Sequence, residues 1–322
     1  MGTHIISNDP LPEQKHVFKN SRPGLATFRK ELYNLTNIAT STLFQEDFLM
    51  QNPPIDLLVT FNRHYIEPFK TMLHSLLCNN PGESFRIWLM HSNIPQEELT
   101  DLTEYCSARG VLLTALTVER EVFANAPVSR QYPQEMYYRL LAPRLLPENL
   151  DRILYLDSDI LALNPLRPLW DIDLQGKTFA ASSHTGVLDL MSGVNRIRMN
   201  TDHDYFNTGV ILIDLAAARR NVRPEDIFDC VRNHSTGLLL PDQDVFNFLY
   251  GSDTLPLPDS VWNYDPRYYS GYLLRSNGQC TLDWVMNHTV FLHFCGKKKP
   301  WNASYSNRFA SLYKHYMSLA RR

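Results

Sequence analysis

The sequence lacks most of the features that would classify it at a glance. Its five cysteines, Cys78, Cys106, Cys230, Cys280 and Cys295, are odd in number, widely spaced and form no CxxC pair. This excludes a zinc knuckle or a disulfide framework and points to a reducing compartment. No run approaches the 18 apolar residues of a membrane span. The first 30 residues hold no seven-residue apolar stretch, so a signal peptide is not expected and the reading is cytoplasmic. No period of 20 to 50 residues recurs, which sets aside solenoids and propellers. An excess of one charge is missing too: 31 Lys and Arg face 34 Asp and Glu, which gives no reason to expect a nucleic-acid partner. Acid is absent from one place in particular. After Asp283 there is none, while Lys297, Lys298, Lys299, Arg308, Lys314, Arg321 and Arg322 follow. An anionic ligand or surface is therefore expected at the C-terminal end.

What is present is the composition of a folded protein, with 44% apolar residues in 322, enough for one enlarged α/β domain. Residues 1–54 read as a separate helical extension. Leu25, Phe28, Leu32, Leu35 and Ala39 recur at helical steps before Pro53-Pro54, forming a stripe that either packs on the main domain or meets a partner. From Ile55 onward, apolar runs alternate with helical patterns. Strands are expected over 56–61, 85–91, 111–116 and 152–156, and helices over 66–78, 95–109 and 134–146. Such alternation predicts a mixed, mostly parallel sheet with helices on both faces, and ligands at the carboxyl ends of its strands. Residues 55–301 form the expected main domain. The tail over 302–322 reads as a basic, aromatic helix that either docks on the domain or lies on an anionic membrane.

Chemistry concentrates at four places. The strand ending Tyr155-Leu156 runs straight into Asp157-Ser158-Asp159. Residues i and i+2 of an extended chain point the same way, and paired carboxylates suit Mn²⁺ or Mg²⁺. Asn207 and Gly209 stand at the entrance of the apolar run Val210–Ile213, and Asp242-Gln243 follow Pro241 where a helix opens. Asp242 there could equally be an ordinary helix cap. Finally, His293 leaves an apolar run and is followed by Gly296 and Lys299. Histidine can complete a metal site, glycine admits close approach of a phosphate, and lysine neutralises it.

Tyr138-Arg139, Leu154–Asp159, Phe206–Val210, Pro241–Asp244 and His293–Trp301, in this order, resemble glycosyltransferase family 8. That is the family of bacterial lipopolysaccharide galactosyl- and glucosyltransferases and of glycogenin. The resemblance implies a GT-A, Rossmann-like nucleotide-sugar fold, a UDP-sugar donor, Mn²⁺, and retention of anomeric configuration. It implies Asp157, Asp159 and His293 as metal ligands, with Ser158 between the acids lining the donor site. Gly296 and Lys299 would contact the diphosphate. Arg139, Asp242 and Asn207 would hold the donor sugar, with Gln243 near its anomeric carbon. The uracil-reading segment departs from the family pattern, and Thr60, Asn62 and Tyr65 are left to hold the base. The implied partners are UDP-glucose or UDP-galactose and a glycan or lipid-linked acceptor. Two other readings compete: a non-catalytic sugar-binding relative, and a DxD phosphatase, against which Leu161 stands where that pattern has threonine.

Overall fold

The computed structural model describes residues 53–118, 137–183, 201–234, 238 and 240–322. The helical extension expected in 1–54 lies outside the described residues except for Pro53 and Pro54. Nine strands are present among the described residues: β1 (Ile55–Thr60), β2 (Phe85–His91), β3 (Leu112–Thr117), β4 (Arg152–Leu156), β5 (Ile160–Ala162), β6 (Phe179–Ser183), β7 (Phe206–Asp214), β8 (Thr254–Leu257) and β9 (Phe291–His293). Seven make one sheet in the order β3-β2-β1-β4-β7-β6-β8, and β5 pairs with β9 in a separate ribbon. The pairs among β1, β2, β3 and β4 are parallel, as is β6 with β8; β7 runs antiparallel to both β4 and β6. The mixed, mostly parallel sheet expected from the alternation is present.

Side chains alternate across the sheet and feed two cores. Ile153 and Tyr155 of β4, with Ile211 and Ile213 of β7, enter one; Leu154, Leu156, Val210 and Leu212 enter the other. The first core is closed by helices Tyr138–Leu145, Leu215–Asn221, Pro224–His234 and Pro241–Tyr250. The second is closed by Ile66–Asn79 and Gln96–Ser107. Helices therefore cover both faces. Each large apolar side chain wholly removed from water stabilises the fold by roughly 1.5–3 kcal/mol, and strands apolar on both sides require this double cover.

Element ends differ from expectation for local reasons. The helix expected from Pro95 begins at Gln96, with Pro95 at the cap position and no side-chain cap bond. The helix expected over 134–146 is described from Tyr138 and ends at Leu145, with Leu146 already extended ahead of Pro147, because the residue before proline is pushed out of the helical region.

The tail is docked. Phe309, Tyr313 and Ala320 are buried, Tyr316 receives a hydrogen bond from Asn79 at 2.8 Å, and Tyr105 donates to the Ala320 carbonyl at 3.0 Å. Helix Ala310–Ala320 thus spends its apolar face on the domain, while Lys314, Arg321 and Arg322 stay exposed. No helix among the described residues is long and apolar enough to cross a membrane.

Candidate active site

The chemistry gathers where the sheet changes direction. Because β7 is antiparallel to β4, the start of β7 lies beside the end of β4, and the Asp157 amide donates to the Gly209 carbonyl at 2.8 Å. The ribbon then brings in a segment distant in sequence. Ile160 of β5 lies opposite His293 of β9, and Phe294 N–H donates to the Asp159 carbonyl at 3.0 Å. One ligand atom from each of Asp157, Asp159 and His293 lies within 4.8 Å of the others. His293 Nε2 is 3.6 Å from Asp157 Oδ2 and 3.3 Å from Asp159 Oδ1. Two carboxylates and an imidazole form a donor set that could hold a divalent metal.

The other atoms of these groups are held from behind. Asp157 Oδ1 accepts from Tyr155 at 2.6 Å and lies 3.1 Å from Arg139 Nη2. Asp159 Oδ2 is paired with Lys299, which also donates to the Phe294 carbonyl at 3.2 Å. Burial opposes ionisation of Asp159, but His293 and Lys299 outweigh it and hold the carboxyl far below its ordinary range. At His293 burial resists a charged ring, yet Cys295 and Asp159 prevail and hold its pKa well above 6.5. To hold a cation here, His293 Nε2 would have to be unprotonated.

Arg139 links the acids to the next group. Its Nη1 donates to the Thr208 carbonyl at 3.0 Å, and its Nε lies 3.4 Å from Asp242 Oδ2. Leu240, not Asp242, holds the cap position of helix Pro241–Tyr250; Asp242 lies inside its first turn, where it pairs with Arg139. Asn207 Nδ2 donates to Gln243 Oε1 at 3.1 Å, and Asn207 Oδ1 accepts from Gly209 N–H at 2.9 Å. Two buried polar atoms of the site lack a hydrogen-bond partner, Arg139 Nε and Ser158 Oγ. Such atoms are costly unless a ligand satisfies them.

The base-reading candidates sit less uniformly. Thr60 Oγ1 is 3.2 Å from the Tyr155 hydroxyl, which ties it to Asp157. Asn62 Oδ1 accepts from His64 N–H at 3.0 Å and caps a short turn, leaving only its NH₂ for a ligand. Tyr65 packs edge-on against Trp301 at 5.6 Å. Gly296 has φ +87°, and the Arg267 guanidinium lies where a side chain would stand, its Nη1 2.5 Å from an ideal Cβ. Gly296 also lines a pocket of about 300 Å³ with Arg267, Lys297, Lys298, Ser304 and Asn307.

Two residues that hold the site were not singled out from the sequence. Tyr155 was open to detection, since a strand's period of two places it on the same side as Asp157. Asn263, which accepts from His293 Nδ1 at 2.8 Å across 30 positions, carries no local signal.

The sequence model of glycosyl transferase family 8 matches residues 56–304. The chain belongs to glycosyltransferase family 8. General stress protein A of Bacillus subtilis is 27% identical over 267 residues, covering 79% of this chain and 90% of that protein. A lipopolysaccharide 1,2-glucosyltransferase of Escherichia coli is 25% identical over 235 residues, covering 71% and 67%. Among solved structures, galactosyltransferase LgtC in complex with donor and acceptor sugar analogs superposes with a TM-score of 0.69 at 21% identity, covering 82% of this chain and 96% of that one. That likeness shows the GT-A fold. As a family 8 member the protein is a glycosyltransferase, a class that uses nucleotide-sugar donors and a divalent metal, and its acid-acid-imidazole cluster is compatible with such a metal.

Proposed function

We propose that this glycosyltransferase moves a hexose, glucose or galactose, from UDP to a hydroxyl of a glycan or glycolipid, with Mn²⁺ and with retention of configuration. The observation that carries this reading is the convergence of Asp157, Asp159 and His293 to within 4.8 Å. When bound there, the ion would offset negative charge developing on the departing diphosphate. Lys299 stands against Asp159 and adds a second positive charge at the same place. Ser158 Oγ, which makes no hydrogen bond, and Arg139, whose Nε is held only by the ion pair with Asp242, are groups that a donor sugar and its phosphate would engage. Asp242, held beside Arg139, accepts a sugar hydroxyl on the same side. Thr60, Tyr65 and the free amide of Asn62 face the base. The names of the E. coli glucosyltransferase and of LgtC support a hexose.

Gln243 is no nucleophile in this scheme. Its Oε1 already accepts from Asn207, and a neutral carboxamide attacks weakly. The acceptor hydroxyl therefore enters on the face from which the diphosphate leaves, and an α-linked donor gives an α-linked product. The test is a screen of UDP-sugars for Mn²⁺-dependent UDP release, followed by NMR of the linkage formed. Metal-independent release or a β linkage overturns the reading.

A further inference from the structure

The side-chain amides around the site form a chain with a fixed polarity. It starts at a group whose direction is not open to choice: the Gly209 backbone N–H can only donate, and it donates to Asn207 Oδ1 at 2.9 Å. Asn207 is thereby oriented with Oδ1 inward and Nδ2 toward Gln243 Oε1 at 3.1 Å. The same Oδ1 accepts a second bond at 2.9 Å, and the atom facing it must be the Nδ2 of Asn263. Asn263 Oδ1 then faces His293 Nδ1 at 2.8 Å, and an acceptor in that position requires the proton on Nδ1. One backbone amide thus sets the ring of a histidine two side chains away and leaves Nε2 directed at the two carboxylates.

We propose that Asn263 is the positioning residue of this site, joining the His293 ring to the Asn207–Gln243 pair so that both ends are oriented together. Asn263 is fully buried, and His293 is 3% exposed, so neither group can turn to water for a substitute. Asn263 sits just after helix Asp259–Trp262 with φ −160°. It is fixed there by the next residue: Tyr264 N–H donates to the Phe291 carbonyl, and His293 N–H donates to the Tyr264 carbonyl, both at 2.8 Å. The backbone that carries Asn263 is therefore laced to the strand that carries His293. At the far end, Gln243 has its Oε1 committed and offers a ligand only its NH₂.

The inference rests on the metal-dependent reading above, and two substitutions separate its arms. Asn263→Ala removes both bonds. Asn263→Asp keeps an acceptor for His293 Nδ1 but loses the donor to Asn207. Mn²⁺ affinity in the presence of UDP, followed by electron paramagnetic resonance on the full chain, is expected to fall about 10- to 100-fold in Asn263→Ala. It is expected to stay within about threefold of wild type in Asn263→Asp, whose turnover of UDP-sugar falls about tenfold because Asn207 and Gln243 lose their alignment. A residue that only supports the fold would lower thermal stability in both variants and leave Mn²⁺ affinity unchanged. If wild type itself binds no Mn²⁺ with UDP, the functional reading fails. If wild type binds and folded Asn263→Ala binds equally well, the positioning role alone is overturned. If Asn263→Ala does not fold, loss of Mn²⁺ affinity in folded Asn263→Asp is the result that refutes it.

Discussion

Asp56 in the parallel half of the sheet and Asp159 at its antiparallel seam are equally buried, 5% exposed each, yet their surroundings differ in kind. Asp56 is saturated: Arg86 grips it with two nitrogens at 2.9 and 2.7 Å, and the Trp88 indole donates at 2.9 Å. Asp159 has one oxygen on Lys299 and the other directed at an imidazole and a second carboxylate. The same contrast runs through the neighbours. In the parallel half, Asn80 Oδ1 accepts the Leu166 amide at 2.8 Å and Ser75 donates to the Met72 carbonyl at 2.7 Å, each closing a gap in the backbone network. At the seam, polar groups bind one another; Ser158 Oγ makes no hydrogen bond and Arg139 Nε has only its ion pair with Asp242, whereas in the parallel half the comparable orphan is His91 Nε2. A buried polar group that is fully satisfied stabilises a fold; one left partly satisfied is available to a ligand.

The largest test of this contrast is Asp159→Asn. The change preserves shape and removes the charge opposite His293 and Lys299. Loss of several kcal/mol of charge stabilisation corresponds to about a 10³-fold fall in Mn²⁺-dependent UDP release, with the circular dichroism spectrum unchanged. Turnover near wild type would remove Asp159 from the metal site.

A pair of glycines compares the two regions directly. A Cβ at Gly209, at the seam, would lie 2.1 Å from His293 Cε1 and 3.0 Å from Asp157 Oδ2. The ring cannot step aside while Asn263 holds it, so Gly209→Ala is expected to weaken Mn²⁺ binding about 100-fold. Gly110, in the parallel half, has φ +72° and nothing within 4 Å of its added Cβ. Gly110→Ala is expected to cost only the left-handed strain, about 1–2 kcal/mol of unfolding free energy, with metal affinity unchanged. Calorimetric melts with Mn²⁺ titrations of both variants provide the check.

The same division decides what could be read from the sequence. The parallel half is built from neighbouring runs, and β2 and β4 span the residues expected of them, because apolar runs, proline and helix starts are local signals. The acids of the site were legible as a pair two residues apart behind an apolar run, although both lie in the turn between β4 and β5 rather than on an extended strand. The direction of β7 was not: a run apolar on both sides reads the same in either orientation. Nor was Asn263, whose partners lie 30 and 56 positions away. Asn62 was singled out for a base, and its carbonyl proves to cap its own turn, a short-range competition typical of asparagine.

A pH effect is expected to arise in the parallel half, away from the site. Burial pushes the Cys106 thiol up from 9.0 to about 12, against the pull of Arg109 and Lys70. The folded state thus keeps its proton where the unfolded chain releases it, and stability falls as pH rises between those values. One pKa unit corresponds to 1.36 kcal/mol, so urea unfolding at pH 10 should show a loss of about 1.4 kcal/mol relative to pH 8 from this group. Cys106→Ala should remove that share of the slope, leaving the share of Cys230, whose thiol burial pushes from 9.0 to about 11, while lowering stability at every pH. A slope unchanged in the variant would assign the alkaline loss elsewhere.

The smallest expected effect separates charge from placement among three adjacent lysines. Lys299 is paired with Asp159 and donates to the Phe294 carbonyl, whereas Lys297 and Lys298 are exposed and line the pocket beside Gly296. If proximity to an anion were enough, all three would contribute alike to nucleotide binding. Exposed charges are screened within about 8–10 Å by ordinary salt and contribute little individually. The double variant Lys297→Gln, Lys298→Gln is therefore expected to shift UDP affinity by no more than about threefold at 0.15 M salt, with the difference vanishing at higher salt. Lys299→Gln, which leaves Asp159 facing His293 without its second cation, should weaken UDP binding in the presence of Mn²⁺ by more than the double variant does at every salt concentration. Equal losses in the two proteins would show that this segment binds by net charge alone and that the pairing of Lys299 with Asp159 has no part in holding the donor.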